Sequence, residues 1–115
     1  MPSRKWGLRI RDILASIERI MKYTGKMDFE QFKSDNKTVD AVVRNFEIIG
    51  EAAAHVPEEI VGDHPEITWQ DMRDMRNVLA HEYFGINEKI VWDTIQDDLP
   101  PLVPLLKSLL EKNGV

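Results

Sequence analysis

Apolar residues recur at helical spacing along most of this chain, and no stretch alternates in the way a strand would. Ile10, Ile13, Leu14, Ile17, Ile20 and Met21 share one helical face, which predicts a first helix from Lys5 to Thr24. Gly25 stands as its stop. Residues 28–34 predict a helical turn closed by Phe29 and Phe32. Val39, Val42, Val43, Phe46, Ile49 and Ala53 form a second stripe, predicting a helix from Lys37 to His55 that Pro57 ends. Gly50 lies inside it at a cost of about 1 kcal/mol relative to alanine, so close packing against a neighbouring helix is expected there. Residues 58–67 read as a connector with one helical turn before Gly62. Thr68-Trp69-Gln70-Asp71 has the form of a capping box with Asp in the place of Glu or Gln,. The third helix therefore starts near Trp69 and turns Trp69, Met72, Met75 and Leu79 to the core. Gly85 and Asn87 mark a break and a new N-cap. A last stripe runs through Ile90, Val91, Ile95 and Leu99 to Leu102, Val103, Leu106, Leu109 and Leu110, and Pro100-Pro101 should break or sharply kink that helix,. The fold class expected is all-α: an antiparallel four-helix bundle with an extra short helical turn, in one domain over residues 1–115.

Composition narrows the chemistry. A hydrophobic fraction of 43% over 115 residues is enough for a small core,. There is no cysteine, so neither a disulfide framework nor a thiolate metal site can be built, which fits a reducing cytoplasm as the expected location. The opening Met-Pro-Ser-Arg-Lys-Trp is followed by no apolar run of signal-peptide length,, and no segment approaches the roughly 20 apolar residues that span a membrane. No membrane association is expected.

The candidate chemistry sits in Arg76-Asn77-Val78-Leu79-Ala80-His81-Glu82-Tyr83. Arginine offers a planar, always charged fork to a phosphate. Histidine exchanges protons near neutral pH. Together they point to phosphodiester chemistry that needs no metal, since charge stabilisation and proton transfer are both covered. On one unbroken helix the two residues are about 140° apart. Either the helix loosens before His81 or the groups converge from two chains. Cleavage of RNA needs one group to take the 2′-OH proton and another to protonate the leaving 5′ oxygen. A two-fold homodimer supplies two histidines, and two arginines for the charged phosphorane. Set against this, His81 reads equally as a helix-end histidine favoured by the dipole, and Arg76 as one half of a surface ion pair. Asn77 is placed to bond the phosphate or hold His81, or to face solvent. Asp40, Arg44, Glu47, Glu51 and His55 form a continuous polar stripe on the second helix. It is either a solvated face or one wall of the cleft, from which Glu51 orients Arg76 or His81. The net charge of −5 argues against a protein that coats nucleic acid. It leaves room for an RNA enzyme with a local basic cleft, drawn from Arg44, Arg73 and Arg76 or from Arg4, Lys5, Arg9 and Arg11. His55 and His64 have no ligand spacing with His81, and Asp63-His64 near Glu66 reads as a polar loop. No metal and no cofactor are expected.

The octet resembles the RX4HXY motif of HepT-type toxins in the HEPN superfamily of all-α ribonucleases. Arg11-Asp12-Ile13-Leu14 to Ile20, Arg44 through Ala52, and Trp69 through Met75 are similar to that family too, so the resemblance covers nearly the whole chain. It implies a metal-independent endoribonuclease acting through Arg76 and His81 in a composite site at a homodimer interface. It implies further that Tyr83 is the tyrosine a nucleotidyltransferase antitoxin modifies with AMP. Read from the residues alone, Tyr83 is as readily a packing tyrosine with its hydroxyl at the rim. Two rivals are a non-catalytic module that binds a nucleotidyltransferase or nucleotide, and a purely structural helical dimer.

Overall fold

In the computed structural model, residues 5–77 and 87–114 are described. The helices are α1 (Lys5–Thr24), α2 (Phe29–Ser34), α3 (Asn36–Ala54), α4 (Glu58–Asp63), α5 (Trp69–Asp74), α6 (Glu88–Asp93) and α7 (Leu99–Lys112), with a π-helical turn at Thr94–Asp98 between the last two. No strand occurs among the described residues. The protein is an all-α helical bundle.

The pair α1 and α3 is its frame. Both are amphipathic, and they make the most extensive contact between any two described elements. The start of α1 lies beside the end of α3, since Arg9 and Asp12 share a groove with Glu47 to Ala52. Ile10, Ile13, Ile17 and Ile20 are fully buried against Val42, Val43, Phe46 and Ile49. Asp35 caps α3, its carboxylate accepting the Thr38 N–H. That backbone hydrogen bond is the chief reason the Asp35 carboxyl sits below the usual carboxylate range,. α1 ends at Thr24 without a left-handed glycine; a Cβ at Gly25 would lie 2.8 Å from the Met21 carbonyl oxygen. Close approach, not positive φ, is what that position requires.

Several expectations are corrected. Thr68 is the N-cap of α5, but its side chain makes no capping bond, because its ψ of 68° departs from the extended backbone of a capping box. The true box is Asp28-x-x-Gln31 at α2, with both reciprocal bonds present. α4 runs through Gly62 to Asp63 rather than stopping before it. α2 closes on the far end of the chain: Phe32 and Phe29 sit 5.3 and 6.3 Å from the Trp92 ring.

Asn87 caps α6, its side chain accepting the Ile90 N–H. Beyond it the interruption expected at Pro100-Pro101 takes the form of the π turn. The Leu99 N–H bonds Thr94 five residues back, so one wide turn precedes the two prolines. They then occupy the first positions of α7, where a missing N–H costs least. Leu99, Leu102, Leu106 and Leu109 form the buried stripe of α7, which packs on α1.

Candidate active site

The octet begins where α5 ends. α5 stops at Asp74, and the Met75 N–H reaches back only three residues to Met72. Met75 is buried, at the edge of the core, while Arg76 sits on a turn with its side chain 46% exposed. The local ladder that would hold an arginine inside a helix is therefore broken at this residue. A tertiary contact takes its place. A Cβ at Gly50 would lie 2.7 Å from the Arg76 nitrogen, 2.8 Å from its Cβ and 3.1 Å from the Arg73 carbonyl oxygen. The close packing expected at Gly50 is thus a contact with the first residue of the octet. The next residue, Glu51, accepts from the Arg76 Nη1 at 3.5 Å. At that length, and with both side chains about half exposed, the pair adds little stability. It leaves the guanidinium turned towards Glu51.

Arg73 is held differently. Its Nε donates to the Ala53 carbonyl oxygen at 3.3 Å and its Nη2 to Glu58 at 3.1 Å, with the side chain 19% exposed. It caps the end of α3 and ties α5 to α4, so two of its three nitrogens are engaged by protein. Arg44 is 67% exposed and pairs with Glu47 at 3.6 Å. It lines a groove of about 220 Å³ between α1 and α3 with Arg9, Asp12, Glu47 and Glu51. Glu51 therefore belongs both to this groove and to Arg76. His55 Nδ1 lies 2.8 Å from the Glu51 carbonyl oxygen and 3.8 Å from its carboxylate. The polar stripe of α3 is thus partly exposed, cross-linked along its length, and in contact with the octet through Glu51.

The structure brings Glu51, Arg76 and, through the groove, Arg44 into one neighbourhood. Asn77 is exposed and helical again after the turn. Leu79, His81, Tyr83 and Gly85 lie outside the described residues. His64 pairs with Glu66 at 3.5 Å, and its carbonyl oxygen accepts the Trp69 indole N–H. That makes it a connector residue tied to α5. Among the described residues no group of three or more His, Asp or Glu is arranged to hold a metal, and none of their helices is long and apolar enough to cross a membrane. Sequence reasoning missed Gly50 as part of the site, and Arg9 and Asp12 as lining the same groove as Arg44. A glycine directly before the stripe glutamate in an otherwise apolar-striped helix was the available signal for the first.

A helical bundle that presents the arginine of an Arg-x4-His-x-Tyr motif at its surface has the architecture of the HEPN ribonucleases. The ribonuclease HepT-like family model matches residues 13–109, and the chain belongs to the HepT-like ribonuclease family. It is 43% identical over 93 residues to a probable ribonuclease HepT of Thermococcus cleftensis, covering 81% of this chain and 84% of that one. It is 37% identical over 103 residues to a candidate RNase of Caldanaerobacter subterraneus subsp. tengcongensis, covering 90% and 92%. A candidate RNase of Methanocaldococcus jannaschii is 34% identical over 111 residues, covering 96% and 92%. No solved structure matches the chain significantly.

Proposed function

We propose that this ribonuclease is the toxin of a type II toxin–antitoxin pair, a metal-independent endoribonuclease whose working groups are Arg76 and His81. The observation that carries the reading is the half-exposed Arg76 guanidinium, set on a turn against Gly50 and directed by Glu51. Arg76 binds the scissile phosphate and offsets the charge that grows on it. His81 accepts the proton of the 2′-OH, the 2′ oxygen bonds to phosphorus, and the bond from phosphorus to the 5′ oxygen breaks. A second His81, from the partner of a homodimer, protonates that leaving oxygen. The products are a 2′,3′-cyclic phosphate and a 5′-hydroxyl. Asn77 supports the phosphate or His81, and Arg44 contacts the strand from the α1–α3 groove. Arg73 has only its remaining amino group to offer RNA. A nucleotidyltransferase antitoxin silences the enzyme when the Tyr83 hydroxyl attacks the α-phosphate of ATP and pyrophosphate leaves, placing an AMP beside the site.

Cleavage of RNA by the purified chain tests this reading. The wild type should cut in the presence of EDTA and arrest growth on expression, and His81→Ala should do neither. Activity abolished by EDTA and restored by Mg²⁺ would overturn the metal-free chemistry. An uncut RNA bound equally by wild type and His81→Ala would instead favour a binding module.

A further inference from the structure

We infer that Gly50 is a positioning residue for Arg76, and that Gly50 and Glu51 together form a two-point seat for the phosphate-binding arginine. The inference rests on the role proposed above for Arg76. α5 has ended at Asp74, and the Met75 N–H is bonded three residues back to Met72, so Arg76 stands on a turn beyond the end of that helix. Regular helical hydrogen bonding does not dictate its place there.

The α3 backbone fills that role. At Gly50 the two chains approach so closely that an added Cβ would fall 2.7 Å from the Arg76 nitrogen and 2.8 Å from its Cβ. Real Cβ atoms essentially never come within 3.0 Å of such neighbours. Neither partner is the free end of a flexible side chain, so relief requires the backbone of Arg76 or of α3 to move. The neighbouring Arg73 resists such movement, with its guanidinium bonded to Ala53 of α3 and Glu58 of α4. One residue further along α3, Glu51 meets the other end of Arg76 at Nη1. Gly50 thus fixes where the arginine starts, and Glu51 fixes where it points. A helix-packing glycine alone would need only closeness to a neighbour. Here the atoms it touches belong to the residue that meets the phosphate.

Gly50→Ala tests the seat, with Gly62→Ala in α4 as the control, because nothing lies within 4 Å of an added Cβ at Gly62. Displacing a reacting group by about 1 Å can cost on the order of 10²-fold in rate. Gly50→Ala should therefore lower kcat by about 10- to 100-fold with the helical circular dichroism retained. Gly62→Ala should leave kcat unchanged. A loss of folded protein would also lower apparent kcat, so the deciding measurement is the same substitution in an Arg76→Ala background. If Gly50 acts through Arg76, it costs nothing further there; a merely structural glycine would lower the residual rate again by the same factor. Should Gly50→Ala fail to fold, Glu51→Gln carries the test, since it keeps the shape and removes the charge at an exposed position. Its smaller loss of kcat should likewise vanish when Arg76 is alanine. Full activity in Gly50→Ala or in Glu51→Gln, or additive losses with Arg76→Ala, would overturn the seat. An Arg76→Ala enzyme as active as the wild type would instead overturn the role of Arg76 itself.

Discussion

A guanidinium has five N–H donors in a rigid plane, and Arg76 engages Glu51 through Nη1. The rest of that fork is what a phosphate would use, so charge alone should not substitute for it. Arg76→Lys is expected to lose cleavage almost as fully as Arg76→Ala, by on the order of 10²- to 10³-fold, the effect of deleting one donor to a developing oxyanion. Both should keep their helical signal, because the residue is half exposed and its ion pair is weak,. A lysine enzyme with near-wild-type kcat would mean that the arginine serves only as a positive charge. Tyr83 governs the second expectation at this scale. Incubation with a nucleotidyltransferase partner and ATP should add AMP mass to the wild type and silence it, while Tyr83→Phe stays unmodified and active. Mass found on Tyr23 instead would move the control point away from the site. These residues stand out in the sequence because each carries distinctive chemistry. Gly50 was legible only as a cost inside a helix. The atoms that justify it belong to a residue 26 positions later, and only tertiary structure puts them in contact. The reach of Arg73 to the Ala53 carbonyl, 20 residues back, was hidden for the same reason.

Among the elements, α1 and α3 followed directly from apolar spacing, with ends within a residue of those expected for α3 and at the expected residues for α1. The period is long enough there to dominate every local signal. Short helices are decided by caps and neighbours, which is why Thr68 misled and Asp28 was overlooked. The π turn was legible as trouble at Pro100-Pro101 but not as a wide turn upstream of it. That turn has an electrostatic consequence. It carries Asp97 and Asp98 close to Asp71 of α5, and the Asp98 carboxyl is pushed above its ordinary value by burial, then by the charges of Asp71 and Asp97. A carboxyl with a raised folded pKa holds its proton more readily folded than unfolded. Its ionisation therefore opposes folding, and this penalty disappears as pH falls through the raised value towards the unfolded one near 3.8,. Asp98 makes no side-chain cap to α7, so Asp98→Asn removes repulsion without removing a hydrogen bond. The gain near pH 7 should be no more than about 0.5 kcal/mol, discounted for an exposed position, or at most about 2 °C in Tm for a chain of this size. Thermal melts at pH 7 and pH 3 check it: a gain that persists at pH 3 would show that the charge was not its source.

At the scale of the molecule the frame and the chemistry are separate parts. The α1–α3 pair is buried and continuous, while Arg76, the first residue of the octet, stands two residues past the end of a six-residue helix. One copy supplies a single histidine in the motif, and acid–base cleavage uses two proton-transfer groups. Sedimentation at micromolar concentration should therefore give twice the 13.3 kDa mass of one chain. A monomer with full nuclease activity would rule out a composite site. From the sequence a dimer is expected on that chemical count and on the family resemblance, while the apolar positions do not by themselves say which of them a second copy would cover.

The prolines of the final helix bear on when this enzyme can exist at all. Pro100, Pro101 and Pro104 have no amide hydrogen, and all three are exposed along one side of the run that carries α7. Pro104 lies in the helix interior, where proline is disfavoured by about 3 kcal/mol relative to alanine, so this segment has little reason to coil by itself. Its buried leucines and the α1 surface they meet supply that reason. During synthesis α1 leaves the ribosome before α7. The bundle closes only once the α7 leucines have emerged to meet α1, so a nascent ribonuclease would reach its working shape no earlier than that.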